Sequence, residues 1–168
     1  AKYLKGMDMY YDEDGNLRRT VYRKDAMIRD AIAVAIDGSK LQVREGVNYL
    51  PNEETPFSGF SKGVSENGHN EILGQFKDGK LDGPMTGWYK GQKIEEKTFK
   101  NGKLEGLFRW WYENGKKKAE RNYKAGKLDG VLTSWHMNGQ VGSIMNYQEG
   151  KPDGLVTMWY KNGQKQRE

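Results

Sequence analysis

Few residues of this 168-residue chain are of types that could do chemistry. There are two histidines, His69 and His136, and four carboxylates that recur at similar places, Asp82, Glu105, Asp129 and Asp153. One basic run, Lys116, Lys117 and Lys118, is followed by Arg121 and Lys124. An imidazole acts as a base or metal ligand when a carboxylate or second ligand stands at a set offset from it. Here the histidines are 67 residues apart, and no HExxH or carboxylate–histidine spacing surrounds either. No GxSxG, P-loop or dinucleotide fingerprint is present. The chain has no cysteine, which excludes a thiolate nucleophile, a thiolate metal site and a disulfide framework. The expectation is a non-enzymatic protein with no catalytic residue, cofactor or metal.

The carboxylates each stand directly before a glycine: Asp82-Gly83, Glu105-Gly106, Asp129-Gly130 and Asp153-Gly154. A short acid before glycine suits a turn, where its oxygens take nearby backbone N–H groups. A turn needs that acid in every copy, whereas catalysis needs it once. The basic run fits a solvated strand face or an edge charged against aggregation. Its alternative use is contact with a phosphate-bearing partner. Nucleic acid is disfavoured, because the chain is only moderately basic and its aromatics recur at core spacing.

The elements that hold these residues are copies of one unit. Trp88, Trp111, Trp135 and Trp159 are 23, 24 and 24 residues apart, and Gly83, Gly106, Gly130 and Gly154 keep the same step. So do Phe76, Phe99, Tyr123 and Tyr147. The shorter step comes from one deletion, WYKG at 88–91 against WYENG at 111–115. An upstream copy has Val64 where tryptophan is expected. Such a period marks a repeat architecture. The spacing predicts units near 57–75, 76–98, 99–122, 123–146 and 147–168. Each reads as an aromatic strand, an Asn-Gly turn, a polar strand and a closing glycine loop. Asn-Gly predicts a type I′ hairpin turn, with positive φ at both central residues. The closing loop reads as a second, slightly longer turn. The fold expected is mainly all-β, an elongated antiparallel β-hairpin array with two strands per unit.

Strand alternation sorts the side chains onto two surfaces. Leu107, Arg109 and Trp111 share one, and Phe108, Trp110 and Tyr112 the other. The recurrent indoles of Trp88, Trp111, Trp135 and Trp159 are expected to form the core ladder. The opposite, partly open side carries Tyr89, Trp110, Tyr112, His136, Met158 and Tyr160, the candidate partner-binding residues. His136 stands where other units have tyrosine, so a tyrosine-like surface role is expected of it.

Residues 1–40 form a divergent N-terminal region. MYYDEDGNLRRTVY (9–22) has the grammar of a further hairpin. DAMIRDAIAVAID (25–37) fits a helix N-capped by Asp25, with Ile28, Ile32 and Ile36 at four-residue steps. It also fits a strand in which Ile32, Val34 and Ile36 share a face. Aromatics make up 12% of the chain, with five tryptophans and ten tyrosines, although mean hydropathy is −0.97. Disorder does not fit that aromatic content. Residues 1–56 carry a net −1 and residues 57–168 a net +6.

The unit aromatic–K–x–G–K–L–[DE]–G–x4–W–[YH]–x–N–G–[QK] resembles the MORN-variant repeat (MORN type 2). Bacterial proteins built from it are grouped as YwqK-like antitoxins. VREGVNYLPNEETPFSG (43–59) resembles the lead-in to such arrays, and the resemblance covers roughly residues 41–168. It implies a β-hairpin strip that binds rather than reacts. The expected partner is another protein, with an anionic lipid surface as the alternative and pairing of array ends into a homodimer as a third reading. The unit at 59–83, with GFSKGVS in place of the aromatic run, is expected to act as a cap. The chain begins at Ala1, which a processed signal peptide or a trimmed start would both give. The expected location is therefore either the bacterial cytoplasm or an exported, cell-surface site.

Overall fold

The computed structural model describes residues 7–11, 17–22, 35–64 and 70–168. The chain divides into two compact units, Ala1–Ala35 and Ile36–Glu168. In the first, β1 (Met7–Tyr11) pairs antiparallel with β2 (Leu17–Tyr22), the hairpin expected of 9–22. Residues 25–34 of the helix-or-strand stretch, and His69, lie outside the described residues.

The second unit is built on one 14-stranded sheet. Its strands begin with β3 (Ile36–Asp37), at the end of the stretch with the open assignment, which pairs parallel with β6 (Gly59–Val64). Between them lie a 3₁₀ turn, Gly38–Lys40, and a separate hairpin of β4 (Gln42–Arg44) and β5 (Val47–Tyr49). An antiparallel meander follows: β7 (Asn70–Lys77), β8 (Lys80–Tyr89), β9 (Gln92–Lys100), β11 (Gly106–Trp111) and β12 (Lys117–Lys124). It continues through β14 (Gly130–Trp135), β15 (Val141–Gln148), β17 (Thr157–Trp159) and β18 (Lys165–Arg167). Two-residue strands β10 (Lys103–Leu104), β13 (Lys127–Leu128) and β16 (Lys151–Pro152) fold back on β9, β12 and β15. The chain is thus an all-β hairpin array, and no α-helix occurs among the described residues.

The two kinds of turn exchange the roles expected from sequence. Asn114, Asn138 and Asn162 keep negative φ; only the following glycines are positive, at 77°, 95° and 83°. Gly115 N–H donates to Tyr112 O at 2.9 Å and Tyr112 N–H to Lys116 O at 2.8 Å. That is a three-residue loop, a type I turn closed by a left-handed glycine. The asparagine serves through its side chain: Asn114 Oδ1 accepts from Lys116 N–H at 3.1 Å, and Asn138 and Asn162 do the same from Gln140 and Gln164. Positive φ at two successive residues, the type I′ signature, occurs in the closing loops, at Asp78-Gly79, Asn101-Gly102, Ala125-Gly126 and Glu149-Gly150. It occurs also at Lys90-Gly91. There the one-residue deletion leaves a two-residue loop, and Tyr89 pairs directly with Gln92.

Each tryptophan coincides with a register shift, at Gly87/Trp88, Trp110/Trp111, Ser134/Trp135 and Met158/Trp159. The partner strand holds one extra residue at these points: Ile94, Lys118, Gly142 and Gln166. Each of these bulges adds local twist to the sheet.

Successive units are tied by bonds between residues about one period apart. Three of the four repeated acids reach into the next closing turn, while Asp153 accepts from Asn146 Nδ2 at 3.2 Å. Asp82 accepts from Asn101 N–H at 3.0 Å, Glu105 from Ala125 N–H at 2.8 Å and Asp129 from Glu149 N–H at 3.3 Å. Ser58, in the same place before Gly59, accepts from Asp78 N–H at 2.9 Å. Turn chemistry is therefore the role of these three acids, but the turn served belongs to the following unit. Beside each, a glycine N–H donates backward: Gly79 to Phe57 O, Gly102 to Leu81 O, Gly126 to Leu104 O and Gly150 to Leu128 O, all at 2.7–2.8 Å.

The β4–β5 lead-in docks on the first closing turn. Asn48 donates to Gly79 O from both its backbone N–H and Nδ2 at 2.9 Å, and Phe57 packs its ring 5.8 Å from that of Phe76. A Cβ on Gly79 would lie 2.3 Å from Val47 Cγ1, so glycine is required there by contact as well as by φ.

Candidate partner interface

The ladders fix which side chains share a surface, because directly paired residues point the same way. One row runs Leu73, Thr86, Glu96, Arg109, Glu120, Thr133, Ile144 and Thr157. The neighbouring row, on the other surface, runs Ile72, Gly87, Glu95, Trp110, Ala119, Ser134, Ser143 and Met158. The division of residues into two sides follows the alternation expected.

The distribution of burial differs from expectation. Trp88, Trp111, Trp135 and Trp159 are all half-buried. Among the described residues the ring pairs are Phe57–Phe76, Phe108–Trp110 and Phe108–Tyr123, so the four indoles do not stack on one another. Lysines take the intervening space: Lys93 Nζ lies 4.6 Å from the Trp111 centroid and Lys117 Nζ 5.5 Å from that of Trp135. These lysines belong to a charged chain on the tryptophan face. Lys93–Glu96 (3.7 Å), Glu96–Arg109 (3.6 Å), Arg109–Glu120 (3.3 Å) and Glu120–Lys117 (2.8 Å) link in sequence. Toward β17 the same face becomes apolar and open, with Val131 at 48%, Ile144 at 38% and Leu155 at 72% exposure.

The most buried positions near the middle of the array lie on the tyrosine face, at Phe108 and Ala119. Phe108 sits 4.5 Å from the Trp110 ring and 6.2 Å from that of Tyr123. Cations cover the cluster, with Arg121 4.7 Å from the Trp110 centroid and Lys97 5.2 Å from that of Phe108. Glu95 accepts from Trp110 Nε1 and from Lys97, both at 3.3 Å. Arg121 Nε is buried without a hydrogen-bond partner.

Of the candidate partner-binding residues, Tyr89, Trp110 and Tyr112 line one open depression of 660 Å³, together with Ile94, Trp111 and Lys118. His136 and Tyr160 line a second, of 520 Å³, with Trp159, Lys161 and Gln166. The two are the same place on different units: a tyrosine or histidine, the next unit's tryptophan and tyrosine, and the bulge residue of its return strand. Between them the bulge residue is Gly142, whose missing Cβ would stand 3.3 Å from His136 Nε2. Met158 lines neither depression and lies in the row with Ser143 and Arg167.

Two polar tips of the tyrosine row are spent on the array itself. Tyr112 OH donates to Trp135 O at 2.7 Å, and His136 Nε2 donates to Trp159 O at 2.8 Å. The histidine thus does the work of the tyrosine it replaces. Asn114 Nδ2 and Asn138 Nδ2 donate to Met137 O and Lys161 O one unit on.

The basic run does not form one patch. Lys116 Nζ donates to Asn138 O at 2.8 Å, Lys117 pairs with Glu120, Lys118 lies over the Tyr112 ring, and Arg121 covers Trp110. Lys124 belongs to another feature, which sequence reasoning missed. Every closing turn sets two residues directly opposite: Lys77/Lys80, Lys100/Lys103, Lys124/Lys127 and Gln148/Lys151. All seven lysines are exposed. The signal was present as K-x-G-K, and recognising the two-residue turn would have revealed it.

The carboxyl of Asp37, before the 3₁₀ turn, lies outside this surface. Asp37 accepts from Ser39 Oγ at 2.7 Å and Ser39 N–H at 2.9 Å, and these bonds hold it below the usual carboxylate range.

No curated protein is significantly similar to the chain. Residues 104–125 and 152–168 match the model of the MORN repeat variant, a kind of repeat commonly used as a protein- or membrane-interacting module.

Proposed function

We propose that the array is a non-enzymatic scaffold that binds another protein through its tyrosine face. The observation that carries this reading is the recurrence of one open aromatic depression on separate units, at Tyr89–Tyr112 and at His136–Tyr160. Aromatic rings held by a rigid frame give broad contact at little entropy cost, which is what a protein interface uses. In an antitoxin-like role this face would cover a toxin surface. Tyr160 is the test residue, because it is 51% exposed and its ring is not needed to join two units. Cross-linking of wild-type and Tyr160→Ala protein to their cellular partners should show a partner lost from the variant. Recovery of every partner by both proteins would count against this face.

A second reading rests on the exposed lysine pairs of the closing turns. Like charges set directly opposite are unfavourable within a sheet, so an anionic surface would relieve them. Binding to vesicles of acidic phospholipid, weakening as salt rises, is its signature. No sedimentation with such vesicles at low salt would remove it.

A further inference from the structure

We infer that the occupant of the tyrosine face is an acidic, proline-rich segment lying along the array in the polyproline II conformation. The inference deepens the protein-scaffold reading and rests on it.

Its first ground is a matching period. Tyr89 ends β8, and Tyr112, His136 and Tyr160 directly follow β11, β14 and β17, each two strands further along the sheet. Strands pair about 4.7–4.9 Å apart, so these ridges recur every ~9.4–9.8 Å. A polyproline II helix turns once in three residues and advances about 9.3 Å in doing so. Over the three steps from Tyr89 to Tyr160 the array covers roughly 28–29 Å, and nine polyproline residues cover about 28 Å. The other regular conformations fall out of step. A β-strand repeats its face every ~6.6–6.8 Å. An α-helix returns to it after seven residues, about 10.5 Å, and is some 2–3 Å out of register by Tyr160.

The second ground is chemical. The rings of the tyrosine face at the depressions are Tyr89, Trp110 and Tyr112 in one case and His136 and Tyr160 in the other. Ridges of tyrosine and tryptophan accept proline rings, and the preformed helix brings little ordering cost. The polar tips of Tyr112 and His136 already serve the array, so those ridges offer rings rather than hydrogen bonds.

Charge sets the remaining requirement. Lys118 lines the first depression beside Glu113, and Lys161 lines the second. Lys90 and Lys118 lie over the Tyr89 and Tyr112 rings, at 5.0 and 5.7 Å from their centroids. An incoming segment with an acid in each triplet would meet them in turn.

The test uses synthetic peptides of Pro-Pro-Glu triplets, titrated into the full chain by calorimetry. Affinity should rise up to three or four triplets and then level off. A peptide of the same composition without the three-residue period, and one of Pro-Pro-Lys triplets, should each bind at least about tenfold more weakly. Lys118→Glu/Lys161→Glu should reverse the preference between the Glu and Lys peptides. Both sites are exposed, so the fold tolerates the change. Absence of binding by Pro-Pro-Glu, equal binding by the aperiodic peptide, or no reversal in the charge-swapped protein would overturn the inference. None of these results touches the broader scaffold reading, which stands or falls on the cross-linking of Tyr160→Ala.

Discussion

Trp110→Ala should destabilise the array more than Trp111→Ala, the reverse of what the sequence period suggests. Truncating a fully buried tryptophan costs about 3–5 kcal/mol. Both rings are half-buried, so burial alone gives each about 1.5–2.5 kcal/mol. Trp110 then adds a ring pair with Phe108, about 0.5–1.5 kcal/mol. It also loses the Arg121 contact, about 0.5–1 kcal/mol, and the Nε1–Glu95 bond, about 0.5–1.5 kcal/mol. Trp111 adds only the Lys93 contact, about 0.5–1 kcal/mol. Some terms overlap, since Glu95 and Arg121 regain water when the ring is removed. The expected costs are therefore about 3–5 kcal/mol for Trp110 and about 2–3.5 kcal/mol for Trp111. Urea unfolding followed by far-UV circular dichroism reads the difference without relying on the deleted fluorophores. An equal or greater loss in Trp111→Ala would show that the tryptophan face, not the tyrosine face, carries the packing.

Ala125 and Gly126 form a type I′ turn, so their substitutions should have opposite signs. Ala125→Gly relieves a left-handed alanine and should raise stability by about 0.5 kcal/mol, after the added chain entropy is deducted. Gly126→Ala should lower it by about 1 kcal/mol or more through backbone strain alone, because its Cβ would meet only Lys103 at ordinary contact distance. Thermal melts of the two variants measure both. Glu105→Ala should cost under about 1 kcal/mol, because water can replace the exposed carboxylate, yet hydrogen exchange at the Ala125 amide should quicken. Ser39→Ala should raise the Asp37 pKa toward the ordinary carboxylate value, read by carbon NMR. Since Asp37 is lowered in the folded state, its contribution is complete above the unfolded value and is lost as pH falls through the folded one. The 3₁₀ turn it caps should therefore loosen only in acid, and in Ser39→Ala at a higher pH than in the parent.

Much of the architecture was legible because it rests on period. The 24-residue step gave the hairpins, and alternation gave the two sides, both of which depend only on strand geometry. Turn type was not legible in the same way. Asn-Gly signals type I′ when the loop has two residues, but Glu113–Gly115 makes a loop of three, which asks for one left-handed residue instead of two. Copies such as Ala125-Gly126 lack the asparagine and still take the type I′ form, because the short β13 pairing on β12 leaves room for nothing longer. The burial of Phe108 and Ala119 on the tyrosine face was hidden for a different reason. Recurrence marks a residue as structural, but it does not say what covers it. Trp111 recurs where the partner strand bulges at Lys118, while its ring lies under the Lys93 ammonium.

The repeated acids show the limit most clearly. Their place before glycine correctly signalled a turn, but the partners of Asp82, Glu105 and Asp129 lie 19–20 residues ahead, beyond the reach of any local pattern. With Leu104 O, Tyr112 OH, Asn114 Nδ2 and Lys116 Nζ, Glu105 forms a set of five bonds from one unit to the next. A single sheet whose described side chains are never wholly buried gains little from a core, so neighbour-to-neighbour bonds must carry more of its cohesion. That use has a functional consequence. The Tyr112 hydroxyl, the His136 imidazole, the Asn114 and Asn138 amides and the Asp82, Glu105 and Asp129 carboxylates are consumed in joining one unit to the next. What remains outward on the tyrosine face is ring surface and lysine tips, and a partner must recognise those.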